Sequence, residues 1–257
     1  MRLTRTNTLG IRADSMAASE IPQLLDIAPV PARAVLFTFV NPASVVIGER
    51  DPGYRRLLDD FDAVLPDGIG MCWAIRLLHR LPAARVSFDT TSLAPLVFQR
   101  ARRDGLTVAL VGGRPGVAER SAQQLREAFP GLDIAAVFDG YGGHSRKIRE
   151  LKALSPSVTI CGMGAGAQER FLLGLAESGW SGLGFTCGGY LDQLAGGFRY
   201  YPGWVDAANL RWAYRLAREP RRLAKRYGVD YPVFATRLAR ALVSPAARPD
   251  YQNAREA

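Results

Sequence analysis

Six short apolar runs, alternating with helical stretches, constrain this chain more than any other feature. The runs cover residues 34–40, 63–65, 107–111, 134–137, 158–161 and 184–186. Helical patterns fall at about 68–80, 92–104, 116–129, 145–154 and 167–179. Runs this short and continuously apolar predict strands covered on both faces, and their alternation with helices predicts βαβ units. The expected fold is therefore α/β: a Rossmann-like parallel sheet with helices on both faces. At 257 residues the chain is long enough for one such domain with an appendage. Residues 1–32 read as irregular, broken by Pro22, Pro29 and Pro31.

From about residue 200 the pattern changes to helices without strands. We divide the chain into an α/β domain, 1–200, and a basic amphipathic helical appendage, 201–257. Arg211, Arg215, Arg218, Arg222 and Arg226 recur at helical spacing, with Trp212, Leu216, Leu223 and Tyr227 as a companion apolar stripe. Pro220 suits the first turn of a helix better than an interior position, so two short helices should meet at Glu219 and Pro220. Residues 233–243 read as a further amphipathic helix.

Charge follows the same division. The chain carries +9 overall, and from Arg199 onward 12 basic residues face five acidic ones. A near-neutral body with a basic end calls for an acidic partner: nucleic acid, anionic lipid or a phosphorylated substrate. The tail lacks the interleaved aromatic platforms of single-strand binders, which argues against nucleic acid. Cys72, Cys161 and Cys187 are odd in number and far apart, a pattern suited to a reducing compartment rather than to a zinc site or disulfide framework. No apolar run approaches the ~18 residues of a membrane span, and the first 20 residues lack an apolar centre. An intracellular soluble protein, or one that sits on a membrane from the inside, is expected.

Two glycine turns follow predicted strands. Gly112 and Gly113 close one; Gly162, Gly164 and Gly166 close the other. Glycine there admits a phosphate to the backbone and to a helix N-terminus, but it equally serves plain strand–helix packing. Neither turn ends in the Gly-Lys-Ser/Thr of a P-loop, and no acid stands where a dinucleotide-binding fold would hold a ribose. Asp67 follows the 63–65 run. It could act as a general base at the strand's C-terminal edge, although the local pattern alone favours a helix N-cap. His79 reads as a helix-surface residue, and neither it nor His144 has a metal-ligand neighbour. Asp60-Phe61-Asp62 is a nominal DxD, straddling a helix end and a strand start, and receives no metal role here.

Taken in order, TFVN at 38–41, LPDGIGMCWAIRLL around Asp67, RVSFD from Arg85, VALVGGRPGVAE, FDGY at 138–141, GMGAGAQE ending in Gln168 and Glu169, GGYLDQLAGGFRYYPGW and WAYRLAREPRRLAKRY resemble the WecG/TagA/CpsF family of bacterial glycosyltransferases. The resemblance spans about residues 37–227. It implies an inverting, metal-independent transfer of a hexose from a UDP-sugar to a sugar on a polyprenyl diphosphate, at the cytoplasmic membrane face, in cell-surface polysaccharide biosynthesis. No cofactor is implied. Carried onto this sequence, it makes Asp67 the base. Thr38, Asn41, Arg85 and Asp192 become substrate-binding residues. Gly112, Gly113, Asp139, Gly140, Tyr141, Gly162, Gly164, Gln168 and Glu169 would surround the nucleotide. Arg215, Arg222, Lys225 and Arg226 of the appendage would meet phosphates of substrate or anionic lipid, and a mobile appendage leaves a surface for self-association into a homo-oligomer.

The sequence also departs from the family pattern. Gly166 and Ala167 stand where many members have Pro and Lys, Phe88 replaces a Gly, and Asp89 is offset by one from the usual acid. Asn209-Leu210-Arg211-Trp212 reverses the charge of the usual Gly-Leu-Glu-Trp. These changes surround presumed substrate contacts and point to a donor such as UDP-glucose, as in xanthan-type assembly. UDP-N-acetylmannosamine or its uronate is the alternative.

Overall fold

In the computed structural model the described residues are 3–25, 32–198, 214, 216, 217 and 220–243, without the side chains of 25, 221 and 222. Six parallel strands form the expected sheet: β3 (Val35–Val40), β4 (Ala63–Pro66), β5 (Val108–Gly112), β6 (Ile134–Phe138), β7 (Val158–Gly162) and β8 (Leu183–Thr186). Their spatial order is β4-β3-β8-β7-β5-β6. β4, β5, β7 and β8 are buried at every residue, which is why their sequences read as continuous apolar runs rather than alternations.

Helices cover both faces. α1 (Pro42–Arg50), α2 (Pro52–Asp59), α3 (Ile69–His79), α6 (His144–Leu154) and α7 (Ala167–Glu177) pack with one face through Val45, Tyr54, Leu58, Ile75, Leu151 and Leu172. α4 (Leu93–Arg103), α5 (Val117–Ala128) and α8 (Tyr190–Leu194) cover the other. On that side Phe37 and Phe185 stack at 4.7 Å, with Phe88 packed over them and against Phe98. β5 and β7 are neighbours, yet α5 departs to one face and α7 to the other. A crevice therefore opens between their C-terminal ends, where open α/β sheets bind ligands.

Three local structures depart from the sequence expectation. Residues 4–15 form an antiparallel hairpin, β1 (Thr4–Thr8) and β2 (Ile11–Ser15), and a 3₁₀ turn follows at Ala18–Leu25. The hairpin is locked onto edge strand β4 by Asp14, which is buried. It takes a two-pronged grip from Arg5, both contacts at 2.9 Å, and the Val64 N–H at 2.6 Å. His79 is correspondingly buried rather than exposed, its Nε2 3.2 Å from Thr8 Oγ1 under the hairpin, and burial lowers its pKa. α1 and α2 were not legible because Pro42 and Pro52 look like breakers, whereas both occupy first-turn positions where a missing N–H costs nothing.

At the C-terminal end lies α9 (Pro220–Lys225), and the expected helix junction at Glu219 falls outside the described residues. A π turn (Arg226–Asp230) and α10 (Tyr231–Val243) follow. α10 docks on α1 and α3. Phe234 is buried, and its Cε1 would stand 3.5 Å from a Cβ placed on Gly70, which also abuts Pro42. Ion pairs Arg237–Glu49 at 3.0 Å and Arg50–Asp230 at 3.6 Å rim this contact. Arg215 lies outside the described residues, as does the side chain of Arg222; Lys225 is exposed and Arg226 half-buried beside α1.

Candidate active site

Asn41, Asp67, the glycines and the Asp139–Tyr141 turn stand at or just beyond the C-terminal edge of the sheet, whereas Thr38, Gln168 and Glu169 are buried and Asp192 lies on α8. The Asp67 N–H donates to Val40 O at 2.7 Å, tying the end of β4 to the end of β3. Gly68, at φ 91°, is the N-cap of α3, and no side chain caps that helix. The N-cap reading of Asp67 is thereby corrected: a glycine with positive φ makes the turn. The Asp67 carboxylate instead lies 3.5 Å from Arg85 Nε, with about a third of its side chain exposed.

Arg85 is held from the far side by Asp89, at 2.5 Å. Asp89 in turn accepts from Ser87 Oγ at 2.7 Å and from the N–H and hydroxyl of Thr91 at 2.9 and 2.8 Å. The Val86 N–H donates to Pro66 O at 2.9 Å, fixing this segment alongside β4. Burial opposes the charge on both partners. The two carboxylates more than offset this for Arg85, raising its pKa, while Arg85, Ser87 and Thr91 hold Asp89 below the usual carboxylate range. The offset acid in RVSFD is thus the group that positions the arginine next to Asp67.

Asn41 caps α1, its Oδ1 accepting the Ala43 N–H at 3.0 Å while its own N–H meets Ser44 Oγ at 3.1 Å. Thr38 is fully buried, one layer below this surface, and does not open onto it. Its hydroxyl donates to Glu169 Oε1 at 3.0 Å, so the neighbouring Thr186 hydroxyl, also at 3.0 Å, must donate to Thr38. Glu169 is equally buried and takes the Gly166 N–H at 2.5 Å and Gln168 Nε2 at 3.0 Å. Burial pushes its carboxyl up, against these donors. Gln168 Oε1 accepts the Gly188 N–H at 3.1 Å. Thr38, Gln168 and Glu169 therefore brace the turns after β3, β7 and β8 from beneath.

The glycines divide by what surrounds them. A Cβ on Gly112 would sit 2.2 Å from Gly162 O, and one on Gly162 would sit 2.7 Å from Gly188 O. These two serve the close approach of β5, β7 and β8. Gly113 has a φ of 70°, and its carbonyl accepts the Gly140 N–H at 2.8 Å. Gly164 and Gly188, both at positive φ, have nothing within 4 Å of a Cβ position and so face open space.

The turn after β6 is pinned by a residue that the sequence pattern did not flag. Lys147, buried in the first turn of α6, donates to Asp139 O at 2.7 Å, Asp139 Oδ1 at 3.1 Å and Tyr141 O at 3.0 Å. The Tyr141 N–H and Lys147 together hold the Asp139 pKa down. The turn presents Tyr141 outward, 64% exposed. Asp192 is exposed on the first turn of α8. At ~4.8 Å per strand, the Asp67 and Arg85 pole on β4 stands three strands, or about 14 Å, from the β7 glycine turn. By contrast, the nominal DxD belongs to the opposite edge: Asp62 pairs with Arg33 at 2.5 Å, and both line a cavity of about 530 Å³ that includes neither Asp67, Arg85 nor the glycine turns.

A carboxylate beside an arginine at one pole, and glycine turns with an exposed tyrosine at the other, suit a ligand stretched along the sheet edge. The model of the Glycosyl transferase WecG/TagA/CpsF family matches residues 6–248. The chain belongs to this family. It is 29% identical over 203 residues to the UDP-Gal:alpha-D-GlcNAc-diphosphoundecaprenol beta-1,4-galactosyltransferase of Shigella boydii, covering 78% of this chain and 84% of that protein. It is 27% and 26% identical to N-acetylglucosaminyldiphosphoundecaprenol N-acetyl-beta-D-mannosaminyltransferases of Bacillus spizizenii and Bacillus subtilis. Those alignments cover 71% and 73% of this chain, and 70% and 72% of the two proteins. The chain is thus a glycosyltransferase. Among the described residues, no helix of this transferase is long and apolar enough to cross a membrane.

Proposed function

We propose that this glycosyltransferase moves a hexose from a UDP-sugar to a sugar on a polyprenyl diphosphate, with inversion and without a metal, in bacterial cell-surface polysaccharide assembly. The observation that carries this reading is the gathering of Asp67, Arg85, Asn41, the open glycine turns and Tyr141 along one sheet edge. The nucleotide lies over β5, β6 and β7, with Tyr141 against the base and the N–H groups around Gly113 and Gly164 toward the diphosphate. The sugar points toward β3 and β4. Asp67 takes the proton of the acceptor hydroxyl as its oxygen bonds to the anomeric carbon from the face opposite the departing phosphate oxygen. Negative charge then grows on the leaving UDP, and Arg85 with the glycine N–H groups stabilises it. The Asn41 amide nitrogen and Asp192 address sugar hydroxyls.

The basic appendage, with Arg215, Arg222, Lys225 and Arg226, closes toward the acceptor diphosphate and anionic lipid, which places the enzyme peripherally on the cytoplasmic membrane face. Self-association through the appendage is a further element of the reading. UDP-glucose is our first donor; galactose and N-acetylmannosamine are the donors' sugars in the relatives' names. The test is UDP release with a synthetic glycosyl-diphosphate-lipid and a panel of UDP-hexoses, with EDTA present. Turnover with one donor that survives EDTA is expected; turnover abolished by EDTA would overturn the metal-independent chemistry.

A further inference from the structure

α3 has an outward face of unusual character. Its inward residues Met71, Cys72, Ala74 and Ile75 are buried, as a core-facing stripe should be. A soluble protein would place charge on the opposite side, but Ile69, Trp73 and Leu77 stand there on successive turns, 54–55% exposed. Arg76 and Arg80 continue the same face and are also exposed. The sequences of α3 and α10 contain no Asp or Glu, and α10 packs against α3. Beside α10, Glu49 and Asp230 are already paired with Arg237 and Arg50, so the α3 face is an apolar strip continued by the exposed Arg76 and Arg80. The strip begins two residues after Asp67.

From this arrangement we infer that the α3 face is a docking surface for an anionic phospholipid bilayer. Trp73 sits at headgroup depth between Ile69 and Leu77, and Arg76 and Arg80 meet lipid phosphates while their stems cover apolar surface. A second copy of this chain fits the face less well. A two-fold contact through α3 would set the same arginines against each other with no acid on the helix to offset them. The orientation brings the end of β4 to the membrane plane, where a lipid-linked acceptor would present its diphosphate. The inference deepens the proposed acceptor chemistry and relies on that reading only for its purpose.

The test is flotation of the full-length protein with phosphatidylglycerol-containing vesicles, using wild type and a Trp73→Ser/Leu77→Ser double variant. Neither substituted residue belongs to the proposed catalytic or binding machinery, and equal thermal midpoints verify folding. The partition coefficient should fall about tenfold or more in the double variant. Trp73→Phe, which keeps the apolar bulk, should bind nearly as wild type. Transfer to a short-chain, water-soluble acceptor should be equal in wild type and double variant. Unchanged vesicle binding in the double variant would overturn the inference. So would a wild-type dimer that the double variant converts to monomer, because the face would then be a self-association surface. If wild type transfers no sugar to the soluble acceptor yet floats in a Trp73-dependent way, the acceptor proposal fails and the docking surface stands.

Discussion

Asp67 gains its setting from neighbours rather than from its own helix. Asp89 is the clearest case of a residue working through another: four donors converge on its carboxylate, and Arg85 is fixed as a result. Its native pKa is depressed. The stability it contributes is therefore present above the ordinary Asp value of about 4 and is lost as pH falls through the lower native value. For Asp89→Asn, the denaturant-midpoint gap to wild type should be full near pH 6, in the sense of a less stable variant, and should close as the solution is acidified below about pH 4. A gap independent of pH would contradict the role given to its charge. The same variant should also weaken donor use through a displaced Arg85. Lys147 had no comparable sequence signal, because a lysine in a first helical turn is ordinary until the turn it holds is seen. Gln168 and Glu169 were visible only through the family resemblance, which placed them at the nucleotide; both are buried and brace the glycine turns from beneath.

At the scale of elements, what was legible was whatever is covered on both sides. The six sheet strands and five of the helices follow from apolar runs and from glycines that must stand where strand becomes turn. The hairpin escaped notice because TRTNT and IRADS are polar, and its place depends on a non-local grip between Arg5, Asp14 and the β4 backbone. α1 and α2 escaped because prolines that open helices resemble prolines that break them. The glycine turns answer the open question of packing against binding in two ways: Gly112 and Gly162 pack, while Gly164 and Gly188 leave room. Gly162→Ala should therefore act first on stability. Its Cβ would meet both Gly188 O and Cys187 Sγ at under 3 Å, so a loss of about 1–3 kcal/mol in denaturant unfolding at unchanged m-value is expected. A neutral effect would contradict the close crossing of β7 and β8.

For the whole molecule, the parallel sheet sorts the candidate site to one edge. Its C-terminal edge collects the carboxylate–arginine pole, the open turns and Tyr141, while the opposite edge holds the Arg33–Asp62 pair. The fold class, the strand order's crevice and the family all agree, and the basic C-terminal end docks by α10 on the same side as Asp67. The measurement that bears most directly on the central claim is the transfer rate of Asp67→Asn against wild type, with the preferred UDP-sugar and a lipid-linked acceptor. The substitution is nearly isosteric, so thermal midpoint and UDP affinity should stay close to wild type, while kcat falls by about 10²–10⁴-fold. A variant that folds, binds UDP and turns over at the wild-type rate would contradict the assignment of Asp67 as the base.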